Sequence, residues 1–160
     1  MLSLRTASGR HDKATSRRLA DSGAKWKIIV LSACYSGGFI EALRDENSLI
    51  NSASDVIRAS FGCQATSEFT WFSRAFFDQA LREEARSGRY SFLAVFEQAK
   101  QRVVDQEKAA GFEPSNLQMH IGTAMRDKRK VLEARLPERA RNRVPPEGLL
   151  NDRTAQAPLT

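Results

Sequence analysis

The chain has 160 residues, room for one domain with a core of its own. Two cysteines, Cys34 and Cys63, exclude a disulfide scaffold, and with His11 and His120 at scattered spacings they do not resemble a structural zinc site. The net charge of +6 is uneven: residues 1–27 hold seven Lys/Arg against two acids and residues 126–160 hold nine against five, so a slightly acidic body lies between basic ends read as solvated tails.

No apolar run reaches the roughly 18 residues that a spanning helix needs, and the first ten residues lack the apolar centre of a signal peptide. Residues 1–25 are polar and basic and predict disorder, with a short helix from about Ser16 to Ala24 that Gly23 would end. Lys27 to Ser32 follows as a strand. Its run Ile28-Ile29-Val30-Leu31 is apolar and mostly β-branched, which suits a strand buried on both faces. Gly38 to Arg44 predicts a short helix with Phe39, Ile40 and Leu43 on one side, and Asp45-Glu46-Asn47 a turn. Ser48 to Ser54 predicts a second strand, parallel to the first because so short a helical connection favours that arrangement.

Residues 55–70 read as a loop containing Ser60-Phe61-Gly62-Cys63. Thr66 or Ser67 would cap a helix starting near Glu68, with Phe69, Phe72, Phe76 and Ala80 at helical spacing and an end near Ser87-Gly88. A further helix from Ser91 to Ala110 presents Phe92, Val95, Phe96, Ala99 and Val103, and Gly111 stops it. Pro114-Ser115-Asn116 is a turn, and the alternation of Leu117, Met119 and Ile121 predicts a last strand over 117–122. A basic helix over 126–141 precedes a tail opened by Pro145-Pro146. The units so defined are a basic segment 1–25, an α/β body 26–124, and a basic helix with tail 125–160.

Cys34 stands between the first strand and the pair Gly37-Gly38. A cysteine is often simply a small buried hydrophobe. After a strand end and before glycines it takes on another meaning, because glycine lets a backbone approach a ligand and leaves amides available. The amides of Cys34 and Gly37 are candidate oxyanion donors. The helix that follows would point its positive end at Cys34 and favour the thiolate. The pattern is that of a nucleophile.

Ser32-Ala33-Cys34-Tyr35-Ser36-Gly37-Gly38 after an apolar strand resembles the nucleophile motif of the legumain-like cysteine peptidases, a family of caspase-like fold. Ser60-Phe61-Gly62-Cys63, Phe69-Thr70-Trp71-Phe72 and Pro114-Ser115-Asn116-Leu117-Gln118 resemble later segments of its bacterial branch. The resemblance covers about residues 25–123. It implies an α/β sandwich with a mostly parallel sheet flanked by helices. It also implies a Cys–His dyad in which Cys34 attacks a peptide carbonyl to form an acyl-enzyme, with peptide or protein as substrate and no metal or organic cofactor.

The chain departs from that pattern in its histidines. The family's base lies in a His-Gly pair ending an earlier buried strand. Here His11 is followed by Asp12 and lies too near Cys34 for the intervening helix and strand, and His120 sits in the last strand in a structural role. Ser32 replaces an acid of the specificity pocket, so no asparagine preference carries over, and Cys63 reads as a packing residue. The sequence therefore resembles the later part of the domain with its first strands missing. The principal reading is a cysteine-type endopeptidase, inactive as it stands if no histidine reaches Cys34. The alternative is a non-catalytic remnant or interaction module on the same fold. Nucleic-acid binding through the basic ends is the least favoured, since the body is acidic and no aromatic-basic motif appears. Missing strands would leave Ile28–Leu31 as a sheet edge open to self-association. Cytoplasm and cell envelope are equally compatible locations.

Overall fold

The computed structural model describes residues 16–19, 21–62, 68–88 and 91–141. Residues 16–19 are helical, and Gly23, at φ 67°, lies in the turn that follows. The expectations of disorder for 1–15 and of a tail beyond 141 lie outside the described residues.

Strand β1 (Lys27–Leu31) pairs in parallel with β2 (Ser48–Ser52), from Lys27 opposite Ser48 to Leu31 opposite Ser52. Between them the chain forms a 3-10 turn, Ser36–Phe39, which runs into helix α1 (Ile40–Leu43). Strand β3 (Gln118–Ile121) pairs antiparallel on the other side of β2, with Ile50 opposite His120. The order is β1-β2-β3, so this sheet is mixed rather than mostly parallel. Two helices, not one, lie between β2 and β3. A pair of helices packed side by side through a short turn returns the chain to the end it left, and β3 therefore enters in the opposite direction.

Helix α2 spans residues 71–86: α-helical Trp71–Ser73, a π-helical stretch Arg74–Ala80, and α-helical Leu81–Arg86. It starts after Thr70, whose Oγ1 accepts from the Ser73 amide at 3.0 Å. The start near Glu68 is thus corrected by about one turn; Thr66 and Ser67 lie outside the described residues. Helix α3 (Phe92–Ala109) is capped by Ser91, whose Oγ accepts from the Ala94 amide at 3.4 Å, and is followed by Gly111 at φ 70°, the stop that its sequence predicts. Helix α4 begins at Thr123 and runs to Arg141, one turn earlier than the basic composition suggested.

The core lies between the sheet and the α2–α3 pair, where Phe72, Phe76, Val95, Phe96, Val103 and Leu117 are buried together. Val30 and Met119 pack on it from β1 and β3. Burial within the sheet differs from the hydropathy reading. The fully buried strand is β2, despite Ser48, Asn51 and Ser52, because it is central. The more apolar β1 is only half-buried, with Ile28 47% exposed, because it has a neighbour on one side only among the described residues. The serines tolerate burial through carbonyl partners: Ser52 Oγ donates to Ser54 O at 2.8 Å and Ser48 Oγ to Asp45 O at 3.0 Å.

Candidate active site

The C-terminal end of β1 is tied to the start of α2 by three hydroxyls. Ser73 Oγ donates to Ser32 Oγ at 2.7 Å, and Ser32 Oγ lies 2.7 Å from Thr70 Oγ1. Two residues beyond Ser32 the chain reaches Cys34, which is partly buried. It then reverses through Tyr35, a non-glycine residue in the left-handed region at φ 60°. The Tyr35 amide donates to Arg58 O at 3.0 Å, which holds that turn in place. Beyond it the Ser36 amide donates to Ser54 Oγ at 3.1 Å, and Ser54 Oγ in turn donates to Ala33 O at 3.3 Å.

Gly37 meets the chain itself. A Cβ there would lie 2.8 Å from the backbone of Asp55 and Ser54, so its lack of a side chain seats the Cys34 turn against the exit of β2. Gly38 has no such neighbour; a Cβ there would come no closer than 3.9 Å to Val56.

Residues 55–62 form the opposite wall. The carboxylate of Asp55 is their anchor. Oδ1 accepts from the amides of Ile57 at 2.9 Å and Arg58 at 2.8 Å, and Oδ2 accepts from the Arg58 guanidinium at 2.8 Å and from Asn116 Nδ2 at 3.0 Å. Burial alone would push the Asp55 carboxyl up. The Asn116 amide, the two backbone amides and the Arg58 charge together outweigh it and hold the group below its ordinary value. Asn116, itself left-handed at φ 57°, belongs to the segment before β3, and Ser115 O accepts from the Asp55 amide at 3.0 Å. Ser115 is fixed from behind by Glu107 of α3, whose Oε2 accepts from its amide at 3.1 Å.

At the far end of the wall Phe61 O accepts from the Trp71 amide at 3.1 Å, and the Phe112 ring stacks on both Phe61 and Trp71, whose own rings are tilted to each other. Gly62, at φ 84°, leaves room for Trp71, whose Cδ1 would be 2.7 Å from a Cβ. Between these two fixed ends sits Ser60. Its carbonyl accepts from Cys34 Sγ at 3.4 Å, and its hydroxyl donates to the same sulfur at 3.7 Å.

The residues singled out in the sequence are therefore distributed as follows. Cys34 lies just past the C-terminal end of β1, within the Gly37 turn. His120 lies on β3, two strands away from β1, on the sheet face opposite Val30 and Met119, and its Nε2 is 3.5 Å from Asp45 O near the start of β2. It does not meet Cys34. Cys63 and His11 lie outside the described residues. Asp55, Ser60 and Asn116 were not singled out as site residues. Ser60 and Asn116 fall in segments that carry the resemblance, and Asp55 opens an Asp-x-x-Arg turn in which its carboxylate accepts from the amides two and three residues on.

The model of the peptidase C13 family matches residues 11–127. No curated protein matches the sequence.

Proposed function

The chain belongs to the peptidase C13 family, the legumain-type cysteine peptidases, and we propose that it hydrolyses peptide bonds with Cys34 as the nucleophile. The observation that carries this reading is the placement of Cys34. A partly exposed thiol stands just past a strand end, in a turn fixed from both sides, with its sulfur engaged by Ser60. The mixed α/β layering is compatible with the caspase-like sandwich that this reading entails.

In the reaction the Cys34 sulfur gives up its proton and bonds to the scissile carbonyl carbon. The carbonyl oxygen takes the negative charge, for which the amides of Cys34 and Gly37 are the candidate donors. The carbon–nitrogen bond then breaks, the amine leaves with a proton, and water cleaves the thioester to restore the thiol. The substrate class is peptide or protein.

The proton needs a base. Among the described residues the one histidine, His120, is held at Asp45 O, away from Cys34. That observation favours a second reading, a non-catalytic member of the family serving as an interaction module. The two readings separate in one experiment: hydrolysis of a fluorogenic peptide library by the full chain and by Cys34→Ala, with and without added imidazole. We expect hydrolysis that Cys34→Ala abolishes, and that imidazole raises if the base is absent. No hydrolysis under either condition, with Cys34 still open to alkylation, removes the peptidase reading and leaves the non-catalytic one.

A further inference from the structure

We propose that Ser60 is a further catalytic residue, whose hydroxyl stabilises the Cys34 thiolate by a direct hydrogen bond. This rests on the reading of Cys34 as the nucleophile.

Ser60 presents two groups of opposite effect to one sulfur. In the thiol form Cys34 donates its S–H to Ser60 O at 3.4 Å, while Ser60 Oγ donates to Sγ at 3.7 Å. When the thiol ionises, the first bond is lost, because a carbonyl has no hydrogen to give an anion. The second is retained and becomes charge-assisted, and such bonds are roughly twice as strong as neutral ones. The hydroxyl therefore favours the thiolate and the carbonyl favours the thiol. Which effect reaches the sulfur depends on how firmly residue 60 is held.

It is held firmly. Ser60 is only 7% exposed. On one side the Asp55 carboxylate fixes the amides of Ile57 and Arg58, and Arg58 O fixes the Tyr35 amide immediately after Cys34. On the other side Phe61 O is fixed by the Trp71 amide. Neither the wall nor the turn can withdraw without breaking bonds to its partner. The backbones that carry Oγ and Sγ are thus held at a fixed separation, Ser60 is buried, and the Oγ–Sγ contact needs no histidine to form.

The test is the pH dependence of Cys34 alkylation by iodoacetamide in the full chain, read on the Cys34 peptide by mass spectrometry, with thermal melting to establish that each variant is folded. Ser60→Ala removes the donor and leaves the carbonyl. The pH midpoint of reactivity should rise by about one unit, equivalent to about tenfold slower alkylation at neutral pH. Ser60→Thr should keep the original midpoint. Ser60→Val, which has the shape of threonine without its hydroxyl, should behave like alanine, so the Thr–Val comparison decides the matter even if the cavity left by alanine disturbs the loop. A midpoint that stays or falls in Ser60→Ala, or that is the same in Thr and Val, overturns the proposal. Alkylation requires no substrate, so the two readings fail separately. Absent hydrolysis with the expected shift removes the peptidase reading, and intact hydrolysis with no shift removes only the role of Ser60.

Discussion

Asp55 shows how much one carboxylate can organise. It accepts four hydrogen bonds, from two amides, one guanidinium and one carboxamide, and through them joins the wall beside Cys34 to the segment before β3. Because its folded pKa lies below the ordinary value, the stability it contributes is present above the usual carboxylate range, about pH 4, and is lost as the pH falls through the folded value. Asp55→Asn should therefore lower the urea midpoint at neutral pH, and the gap from the wild type should close in acid. A gap of the same size at every pH would mean that the charge contributes nothing and only the shape matters. The position of Cys34, just past a strand end and before a turn, was legible in the sequence because an apolar run and two glycines frame it. Asp55 was not, because its partners Arg58 and Asn116 lie 3 and 61 residues away and only folding brings the second to it.

At the level of elements, the start of α2 is the instructive case. Thr66, Ser67 and Thr70 are all suitable capping residues, and no local rule chooses among them. The sequence pattern led to a start near Glu68. In the structure Thr70 is the cap, and its Oγ1 also meets Ser32 from β1, so a tertiary contact accompanies the local one. Thr70→Ala removes both and should destabilise the fold by about 1–2 kcal/mol, seen as a lower midpoint in chemical denaturation, whereas Thr70→Ser should retain most of the stability. Equal losses in the two variants would assign the effect to the methyl group rather than to the cap. The extent of helix α3 was readable to within a residue at each end, from its apolar spacing and from Gly111 as a stop. The direction of β3 was not, since alternation of Leu117, Met119 and Ile121 reports a face and says nothing of parallel or antiparallel. Nor was the π-helical stretch of α2, whose Phe72, Phe76 and Ala80 also fit ordinary helical spacing.

For the whole molecule the decisive feature is the outer side of β1. With β2 on one side and no strand on the other among the described residues, its backbone is an edge, and Ile28 is exposed beside it. We expect association that grows with concentration in sedimentation velocity, and that Ile28→Lys weakens. A sharp, reversible, concentration-independent melt of a monomer would contradict it. The two halves of the sheet differ in the loops that close them: the Ser36 amide and Ser54 are 18 residues apart, while Ser52 and Gln118 on the other half are separated by 66, so the parallel half is expected to close first. Longer loops close at a greater entropic cost. The strand that must travel farthest is the one preceded by Ser115 and Asn116, the residues that grip Asp55. Local opening at β3 would therefore release the wall beside Cys34 while β1 and β2 remain paired. In amide exchange the amides of Ile57 and Arg58 should lose protection together with β3, ahead of the strand that leads to Cys34.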